Sequence, residues 1–292
     1  MNISKPPNGH LIVIGGHEDR KHDMEILKRF VELSGGPDAT IMVISAASGV
    51  PEEMWAIYDE AFAALGVADR RHLVITSREA ANDSAITAQL AEAGGIFMTG
   101  GDQKRLLANI GGTLFDSALH HAFKARGACI GGTSAGASAM SGHMLAEGSA
   151  KLNPEKGTVN LGAGLGLING VVIDQHFSER HRLARLLTVV AQNPYLQGVG
   201  IDEDTALVIE RGAGIEVIGL GAVTIVDGRA MHSDMAEASR GDCPELIDVR
   251  LHLLPSGARY TVPEGDGDAP APAPLHDLIH AITKAVAYHE NH

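Results

Sequence analysis

The pentapeptide at residues 132–136, Gly-Thr-Ser-Ala-Gly, fits the G-x-S-x-G pattern of a nucleophile elbow. In an elbow a serine occupies a sharp turn between a strand and a helix, and small residues two positions away let the turn close. The pattern therefore predicts that Ser134 presents its hydroxyl above a sheet edge. The N–H of Ala135, at the positive end of the following helix, would bind a developing oxyanion there. An ordinary helix cap formed by Ser134 is the alternative.

A serine nucleophile needs a general base, and the base needs a carboxylate that orients it. The chain has 15 histidines, so the presence of one decides nothing. His176 stands out because it follows an apolar run typical of a buried strand, and functional side chains gather at the carboxyl edge of an α/β sheet. Glu203 follows another such run, and Asp202 and Asp204 compete with it. A capping or structural role for His176 stays open.

The elements that must position these residues alternate between apolar strand-like runs and helical patterns up to about residue 140. Strands are predicted at residues 11–14, 40–45, 72–75, 95–99 and 128–133, and helices at 25–33, 52–65, 85–93 and 114–126. Further strands are predicted at residues 170–173 and 198–203, with a helix from about 180 to 191. This alternation favours an α/β fold with a mainly parallel sheet flanked by helices. After residue 206, short apolar runs separated by glycines predict antiparallel hairpins.

Two segments depart from this alternation. Residues 145–167 contain scattered Gly, Asn and Pro, and we interpret them either as an irregular surface excursion or as a loop beside the site. Residues 263–274 are rich in Pro, Gly, Asp and Ala and predict a linker before a helix at 275–288. The predicted organisation is a catalytic domain over 1–262 and a linker with a C-terminal helix over 263–292.

The bulk composition excludes several classes of function. The 23 Lys and Arg residues against 36 Asp and Glu give a net charge of −13, which argues against nucleic acid or an anionic membrane as the main partner. The two cysteines form neither a disulfide framework nor a metal-ligand spacing. No apolar run resembles a secretory signal or a membrane span. These features predict a cytoplasmic protein.

No cofactor is expected from the motifs. His17 and His22 are five residues apart and lack the HExxH spacing of zinc peptidases. The glycine pairs form neither a GxGxxG motif nor a P-loop. The sequence therefore predicts no bound metal and no nucleotide.

Several segments resemble one family and occur in the order expected for it. They are residues 131–137, residues 174–177 (Asp-Gln-His-Phe) with Arg180, Arg182 and Arg185 behind them, residues 200–203 (Gly-Ile-Asp-Glu), residues 15–19 and residues 99–103. Over residues 10–210 the chain resembles the cyanophycinases, serine exopeptidases related to peptidase E. The elbow is shared across the superfamily, whereas the Asp-Gln-His-Phe run with three arginines is much more specific. His17 departs from the family, where a small residue is expected.

The resemblance implies a fold like that of class I glutamine amidotransferases and a triad of Ser134, His176 and Glu203. It also implies hydrolysis of cyanophycin, a poly-aspartate backbone with arginine on each β-carboxyl, to β-Asp-Arg dipeptides. A homodimer is what the family implies. Independently of the resemblance, the sequence predicts that the N–H groups of Gly101 and Ala135 together bind the oxyanion.

The predicted substrate-binding residues carry groups that complement this substrate. They are Gln103, Asp174, Gln175, Arg180, Arg182 and Arg185. Guanidiniums hold carboxylates through two parallel hydrogen bonds, glutamines bond backbone amides, and an aspartate receives a guanidinium. The alternatives are a solvated basic face for the arginines, structural roles for the glutamines and a helix cap for the aspartate.

Other functions are weighed against this one. An aspartyl dipeptidase of the peptidase E type uses the same elbow, but it is a shorter chain without the arginine-rich segment. An amidotransferase is disfavoured because it uses a cysteine at the position of Ser134. A non-catalytic binding protein that keeps the pocket stays open, although the intact Ser134, His176 and Glu203 argue against it.

Overall fold

The computed structural model describes residues 9–262 and 270–284. Within these ranges the strands are β1 (His10–Ile14), β2 (Ile41–Ile44), β3 (Arg70–Leu73), β4 (Gly95–Met98), β5 (Cys129–Thr133), β6 (His143–Gly148), β7 (Val159–Ala163), β8 (Val171–Asp174), β9 (Gln197–Ile201), β10 (Thr205–Glu210), β11 (Gly214–Gly219), β12 (Ala222–Asp227), β13 (His232–Ser233), β14 (Leu246–Ile247), β15 (Arg250–Pro255) and β16 (Arg259–Thr261). The α-helices are α1 (Glu25–Leu33), α2 (Pro51–Ala64), α3 (Arg78–Ala81), α4 (Ser84–Gln89), α5 (Gln103–Ile110), α6 (Leu114–Arg126), α7 (Ala135–Ala139), α8 (Leu183–Gln192) and α9 (His276–Thr283), with 3₁₀ turns at Leu90–Glu92 and Ala273–Leu275.

The main sheet has eight strands in the order β16-β11-β10-β1-β5-β4-β2-β3. The strands from β1 to β3 in this order are parallel, and β10, β11 and β16 add antiparallel pairs on the other side of β1. The predicted α/β class, with a mainly parallel sheet and antiparallel hairpins in the last third, is therefore confirmed. Most predicted strands lie within two residues of the observed ones.

The central strand β1 shows why its sequence is a continuous apolar run. Leu11 and Val13 join the hydrophobic cluster on one face of the sheet, and Ile12 and Ile14 join the cluster on the other. Helices cover both faces, so neither set of alternating side chains reaches water. This burial holds the end of β1 at the centre of the molecule.

The strands β8 and β9 lie in a second sheet with the order β15-β12-β9-β8. β8 and β9 are parallel, and β12 and β15 are antiparallel to their neighbours. The sequence predicts both strands correctly but does not indicate that they leave the main sheet. A buried strand carries the same apolar run in either sheet, so the pattern could not distinguish them.

The prediction of an irregular segment over residues 145–167 is wrong at both ends. β6 and β7 form an antiparallel hairpin whose register shifts between Leu145 and Glu147. Met144, Leu145 and Val159 are buried, whereas glycines and Asn160 break the alternation that would mark the strands. The loop joining β6 and β7 contains no helix or strand.

The C-terminal helix is shorter than predicted within the described residues, because α9 ends at Thr283 and residues 285–292 lie outside them. Residues 263–269 of the predicted linker also lie outside them. Leu278 and Ile279 of α9 are buried in the core of the main sheet. The division into 1–262 and 263–292 stays a prediction. None of the helices in the described ranges has the length and apolar content needed to cross a membrane.

Candidate active site

The turn that follows β1 joins two separate segments of the site. The N–H of Ser134 donates to the carbonyl of Ile14 at 3.0 Å, and the N–H of His176 donates to the carbonyl of Gly15 at 2.8 Å. Gly16 has φ 105°, and a Cβ there would lie 2.3 Å from the His176 ring. Only glycine fits this backbone and this contact. Backbone hydrogen bonds thus hold the serine and the histidine at the same strand end.

Ser134 occupies a strained turn between β5 and α7, with φ 52° and ψ −110°. A Cβ on Gly132 would lie 2.7 Å from the carbonyl carbon of Gly136, and one on Gly136 would lie 2.4 Å from the oxygen of Met98. Both contacts are too short for a side chain, which explains the small residues on either side of the serine. The Ser134 side chain makes no helix-capping hydrogen bond, so the capping alternative is wrong. Its hydroxyl is available for chemistry.

The side chains of Ser134, His176 and Glu203 form a chain of hydrogen bonds. The Oγ of Ser134 lies 2.9 Å from the Nε2 of His176, and the Nδ1 of His176 lies 2.6 Å from the Oε1 of Glu203. An ionised carboxylate only accepts, so Nδ1 carries the ring proton and Nε2 turns its lone pair to the hydroxyl. This tautomer is the one that a general base requires.

The two aspartates that competed with the glutamate serve the backbone instead. Asp202 accepts the N–H groups of Ser178 and Ala222, each at 3.1 Å. Asp204 accepts the N–H of Asp19 at 2.8 Å, and its own N–H donates to the turn after β1. Three consecutive carboxylates thus point in different directions. Only the middle one reaches the imidazole.

A second histidine contacts the glutamate, and the sequence does not indicate this contact. The Nδ1 of His17 lies 2.8 Å from the Oε2 of Glu203. Its ring meets that of His176 edge to face, with centroids 5.0 Å apart. The His17 side chain is 64% exposed, whereas that of His176 is 5% exposed. The carboxylate therefore lies between one buried imidazole and one open to solvent.

The surroundings shift the pKa of both members of the buried pair. Burial, the largest influence, lowers the pKa of His176 below its ordinary value of 6.5, and the hydrogen bond to Glu203 only partly opposes this. For Glu203, burial would raise the pKa, but the hydrogen bonds from His176 and His17 outweigh it and lower the pKa. The site therefore holds a neutral imidazole beside an ionised carboxylate at neutral pH.

The buried carboxylate of Glu18 binds the strand residue that immediately precedes the elbow serine. Glu18 accepts hydrogen bonds from the Tyr58 hydroxyl and, at 2.6 Å, from the hydroxyl of Thr133, the residue before Ser134. Burial and then the charge of Glu18 raise the pKa of Tyr58 well above its ordinary value, so the phenol stays a donor. The sequence could show Glu18 only as a first-turn acid, because its partners come from distant segments.

Four of the predicted substrate-binding residues form one buried cluster. The carboxylate of Asp174 lies 3.2 Å from the Nη1 of Arg182. It also accepts hydrogen bonds from Arg185, from Nε at 2.7 Å and from Nη2. Arg182 also bonds the side-chain oxygen of Gln175 at 2.6 Å, and burial lowers its pKa to about 10. A solvated basic face is therefore wrong for these two arginines. Their contact with substrate stays a prediction.

Arg180 is placed differently from the other two arginines. It is exposed in the turn before α8, because that helix begins at Leu183 and not near residue 180 as predicted. Within the described part of the chain, its guanidinium has no hydrogen bond or ion pair. The positive charge of Arg180 lowers the pKa of His176. This influence ranks third, after burial and the hydrogen bond to Glu203. Arg180 is thus a cation beside the serine–histidine pair.

Two further predicted residues lie between β4 and α5, with Gly101 in the loop and Gln103 at the start of the helix. The Nε2 of Gln103 donates to the carbonyls of Leu145 and Ala146, which fastens α5 to the β6–β7 hairpin. Gly101, with φ 143°, belongs to the loop after β4, whose Gly100 approaches the Ser134 side chain. The oxyanion roles of Gly101 and Ala135 stay predictions.

Comparisons with known proteins place the chain in one peptidase family. The model of peptidase family S51 matches residues 11–218. The cyanophycinase of Geminocystis herdmanii is 41% identical over 251 residues, covering 86% of this chain and 92% of the relative. The cyanophycinase of Synechococcus elongatus is 38% identical over 255 residues, covering 87% and 79% respectively.

A solved structure shows the same fold. The crystal structure of a peptidase from an acI-B1 Actinobacterium superposes with a TM-score of 0.65 over 87% of this chain and 97% of that one. At 20% sequence identity, this likeness concerns the fold alone. The family match spans most of the chain and includes the elbow and the segments of His176 and Glu203. The chain therefore belongs to peptidase family S51 and is a serine peptidase.

Proposed function

We propose that the protein is an exopeptidase that hydrolyses cyanophycin to β-Asp-Arg dipeptides. The observation that carries the proposal is the hydrogen-bond chain from Ser134 through His176 to Glu203. Identities of 38–41% with proteins named cyanophycinase support the substrate. We retain a homodimer and a cytoplasmic location as further parts of the proposal.

In the proposed reaction His176 takes the proton of the Ser134 hydroxyl as its oxygen attacks a carbonyl of the poly-aspartate backbone. The charge of Glu203 stabilises the imidazolium that forms. The N–H groups of Gly101 and Ala135 bind the oxyanion, and His176 then protonates the leaving amine. The same imidazole activates a water molecule that hydrolyses the acyl-enzyme.

For the substrate, we propose that Arg180 binds a carboxylate directly. The cluster of Asp174, Gln175, Arg182 and Arg185 would shape the floor of the same subsite, since both of its guanidiniums already bond the carboxylate of Asp174. Removing Arg185 would take from the buried Asp174 the partner that bonds both of its oxygens. The exposed arginine is therefore the cleaner probe of recognition.

Replacing Arg180 with alanine should lower kcat/KM for cyanophycin by roughly 10–100-fold, the usual effect of losing a charge-assisted hydrogen bond. A small activated ester, which needs only the Ser134–His176 pair, should lose much less. Arg240→Ala, at another exposed arginine, is the control and should leave both rates unchanged. Arg185→Ala should instead destabilise the fold by about 3–5 kcal/mol and reduce both rates. Equal losses on the two substrates with Arg180→Ala would count against recognition by this residue.

The pH dependence should report the neutral form of His176. Because burial lowers its pKa, the active form persists into mild acid, and kcat/KM should reach half its plateau below about pH 6.5. Below that point the rate should fall about tenfold per pH unit. The measurement is kcat/KM against pH for the wild type. A midpoint at or above pH 7 would contradict the assignment of the base.

The decisive experiment for the function incubates the purified protein with cyanophycin and identifies the soluble products by mass spectrometry. Release of β-Asp-Arg supports the proposal. Cleavage of aspartyl dipeptides without attack on the polymer would favour the peptidase E type of activity. Binding to the polymer without any product would favour a non-catalytic role.

A further inference from the structure

The carboxylate of Glu203 joins two imidazoles in an arrangement that the peptidase reaction does not require. The Nδ1 atoms of His17 and His176 bond its two oxygens at 2.8 and 2.6 Å. One ligand atom from each of the three residues lies within 4.8 Å of the others. Two histidines and one glutamate form the protein ligand set of several catalytic zinc sites.

We propose that His17, His176 and Glu203 form a binding site for Zn²⁺ and that the bound ion switches the peptidase off. The binding itself stands on the placement of these three side chains. The inhibition rests on the proposed function, because it requires His176 to be the base.

The donor set of two imidazoles and one carboxylate favours Zn²⁺ over Mg²⁺ and Ca²⁺. Imidazole nitrogens suit zinc and copper, whereas Mg²⁺ and Ca²⁺ prefer oxygen ligands. Bonds of about 2.1 Å place neighbouring ligands of a tetrahedral ion roughly 3.4 Å apart. The hydrogen bonds of Glu203 to His17 and to His176, now 2.8 and 2.6 Å, must therefore widen by roughly 0.6 and 0.8 Å. The exposed ring of His17 can make this shift, and solvent can supply the fourth ligand.

The backbone brings the first and third ligands together. The N–H of Asp204 donates to the carbonyl of Gly16 at 2.9 Å, so the residues adjacent to this bond, His17 and Glu203, face each other. The backbone of His17 is left-handed, with φ 51°, and its side chain contacts Glu203. The backbone thus brings two of the three ligands together, on segments that also position the proposed catalytic groups.

Zinc would disable the base by changing its tautomer. The hydrogen bonds to the carboxylate place a proton on the Nδ1 atom of each ring. When Nδ1 binds the ion through its lone pair, it gives up its proton, and in the neutral ring of His176 this proton moves to Nε2. The Nδ1 proton of His17 goes to Nε2 of its own ring, or to solvent where Nε2 already carries one. The Nε2 of His176 then presents N–H to Ser134 and has no lone pair for its proton. The carboxylate charge is shared with the ion at the same time.

The spacing of histidines along the chain predicts no metal, and this inference departs from that expectation. A local motif such as HExxH draws two ligands from one helix. Here the three ligands come from the loop after β1, the end of β8 and the end of β9. Folding alone brings them together, so no sequence pattern marks the site.

Binding is tested on the Ser134→Ala variant, which keeps all three ligands and does not depend on activity. Titration of Zn²⁺ against a chromophoric chelator should show one site that competes with the chelator. The double variant Ser134→Ala, His17→Asn should bind Zn²⁺ more weakly than Ser134→Ala alone. Losing a residue that only supports a metal ligand typically costs roughly 10–100-fold in affinity, and losing a ligand should cost more. Asparagine tolerates the positive φ of this position. His22→Asn, at an exposed histidine of the same loop, is the matched control and should bind as before.

Inhibition is measured as the ratio of the rates with Zn²⁺ and with EDTA within each otherwise wild-type variant. The wild type and His22→Asn should be inhibited reversibly, His17→Asn should resist, and Mg²⁺ should have no effect. Equal zinc binding with and without His17, or none in Ser134→Ala, would overturn the proposal. If the ion binds as expected but the wild type never cleaves cyanophycin, the proposed function fails while the metal site stands.

Discussion

Replacing Ser134 with alanine should remove the proposed hydrolysis of cyanophycin and leave binding of the polymer intact. Loss of a nucleophile of this kind lowers kcat by about 10⁴-fold or more, because the remaining groups only bind and polarise the substrate. The strained backbone at φ 52° accommodates alanine no worse than serine, so the fold should persist. The measurements are single-turnover product release and co-sedimentation with cyanophycin granules.

The control for this variant is Ser138→Ala, four residues along in α7. The Ser138 hydroxyl is buried and donates to the carbonyl of Ile173 at 3.4 Å, so its loss touches packing but not the proposed reaction. Its rate should remain close to that of the wild type. Turnover by Ser134→Ala within about tenfold of wild type would show that another group is the nucleophile.

Replacing Glu203 with glutamine should lower kcat by orders of magnitude while changing the melting temperature little. The amide keeps the shape of the carboxylate but removes the charge that stabilises the His176 imidazolium. Its NH₂ can donate to Nδ1, which puts the ring proton on Nε2 and leaves no lone pair for Ser134. The side chain is 24% exposed, so water compensates part of the lost hydrogen bonding.

The control is Asp204→Asn, because that residue keeps an oxygen for the N–H of Asp19 and asparagine tolerates its φ of 44°. Asp202→Asn is a weaker control, since both of its oxygens accept backbone N–H groups. A severe loss in Asp204→Asn with a mild one in Glu203→Gln would show that the wrong acid had been assigned. Residual activity in Glu203→Gln should also shift its acid limb to lower pH, because the glutamate raises the His176 pKa.

The sequence predicts best what local sterics control. Gly132 and Gly136 are small because a Cβ at either would overlap the backbone of a neighbouring element, so the elbow is visible in five residues. The alternation of strands and helices is visible because β1 and its parallel neighbours are buried on both faces. In both cases the cause and the pattern lie in the same short segment.

The sequence predicts poorly what depends on distant partners. It could not choose among the three consecutive acids at 202–204, because the choice depends on which backbone N–H groups meet each carboxylate. The pairing of Asp174 with Arg185 and the contact of His17 with Glu203 join segments whose approach only the fold creates. A strand pattern likewise does not state to which sheet the strand belongs. The contacts of these residues therefore follow from the folded structure and not from the sequence pattern.

The pairing of β1 with β10, a strand far along the chain, has a consequence for the synthesis of the protein. β10, which pairs with one edge of β1 and follows Glu203, is synthesised roughly 190 residues after β1. At about 5–20 residues per second, the wait is about 10–40 s. During this time the edge of an apolar strand has no partner from its own chain and is exposed to aggregation unless a chaperone covers it. On the proposed assignment of the triad, a nascent fragment that stops before Glu203 lacks the carboxylate that orients His176, so it should show no peptidase activity.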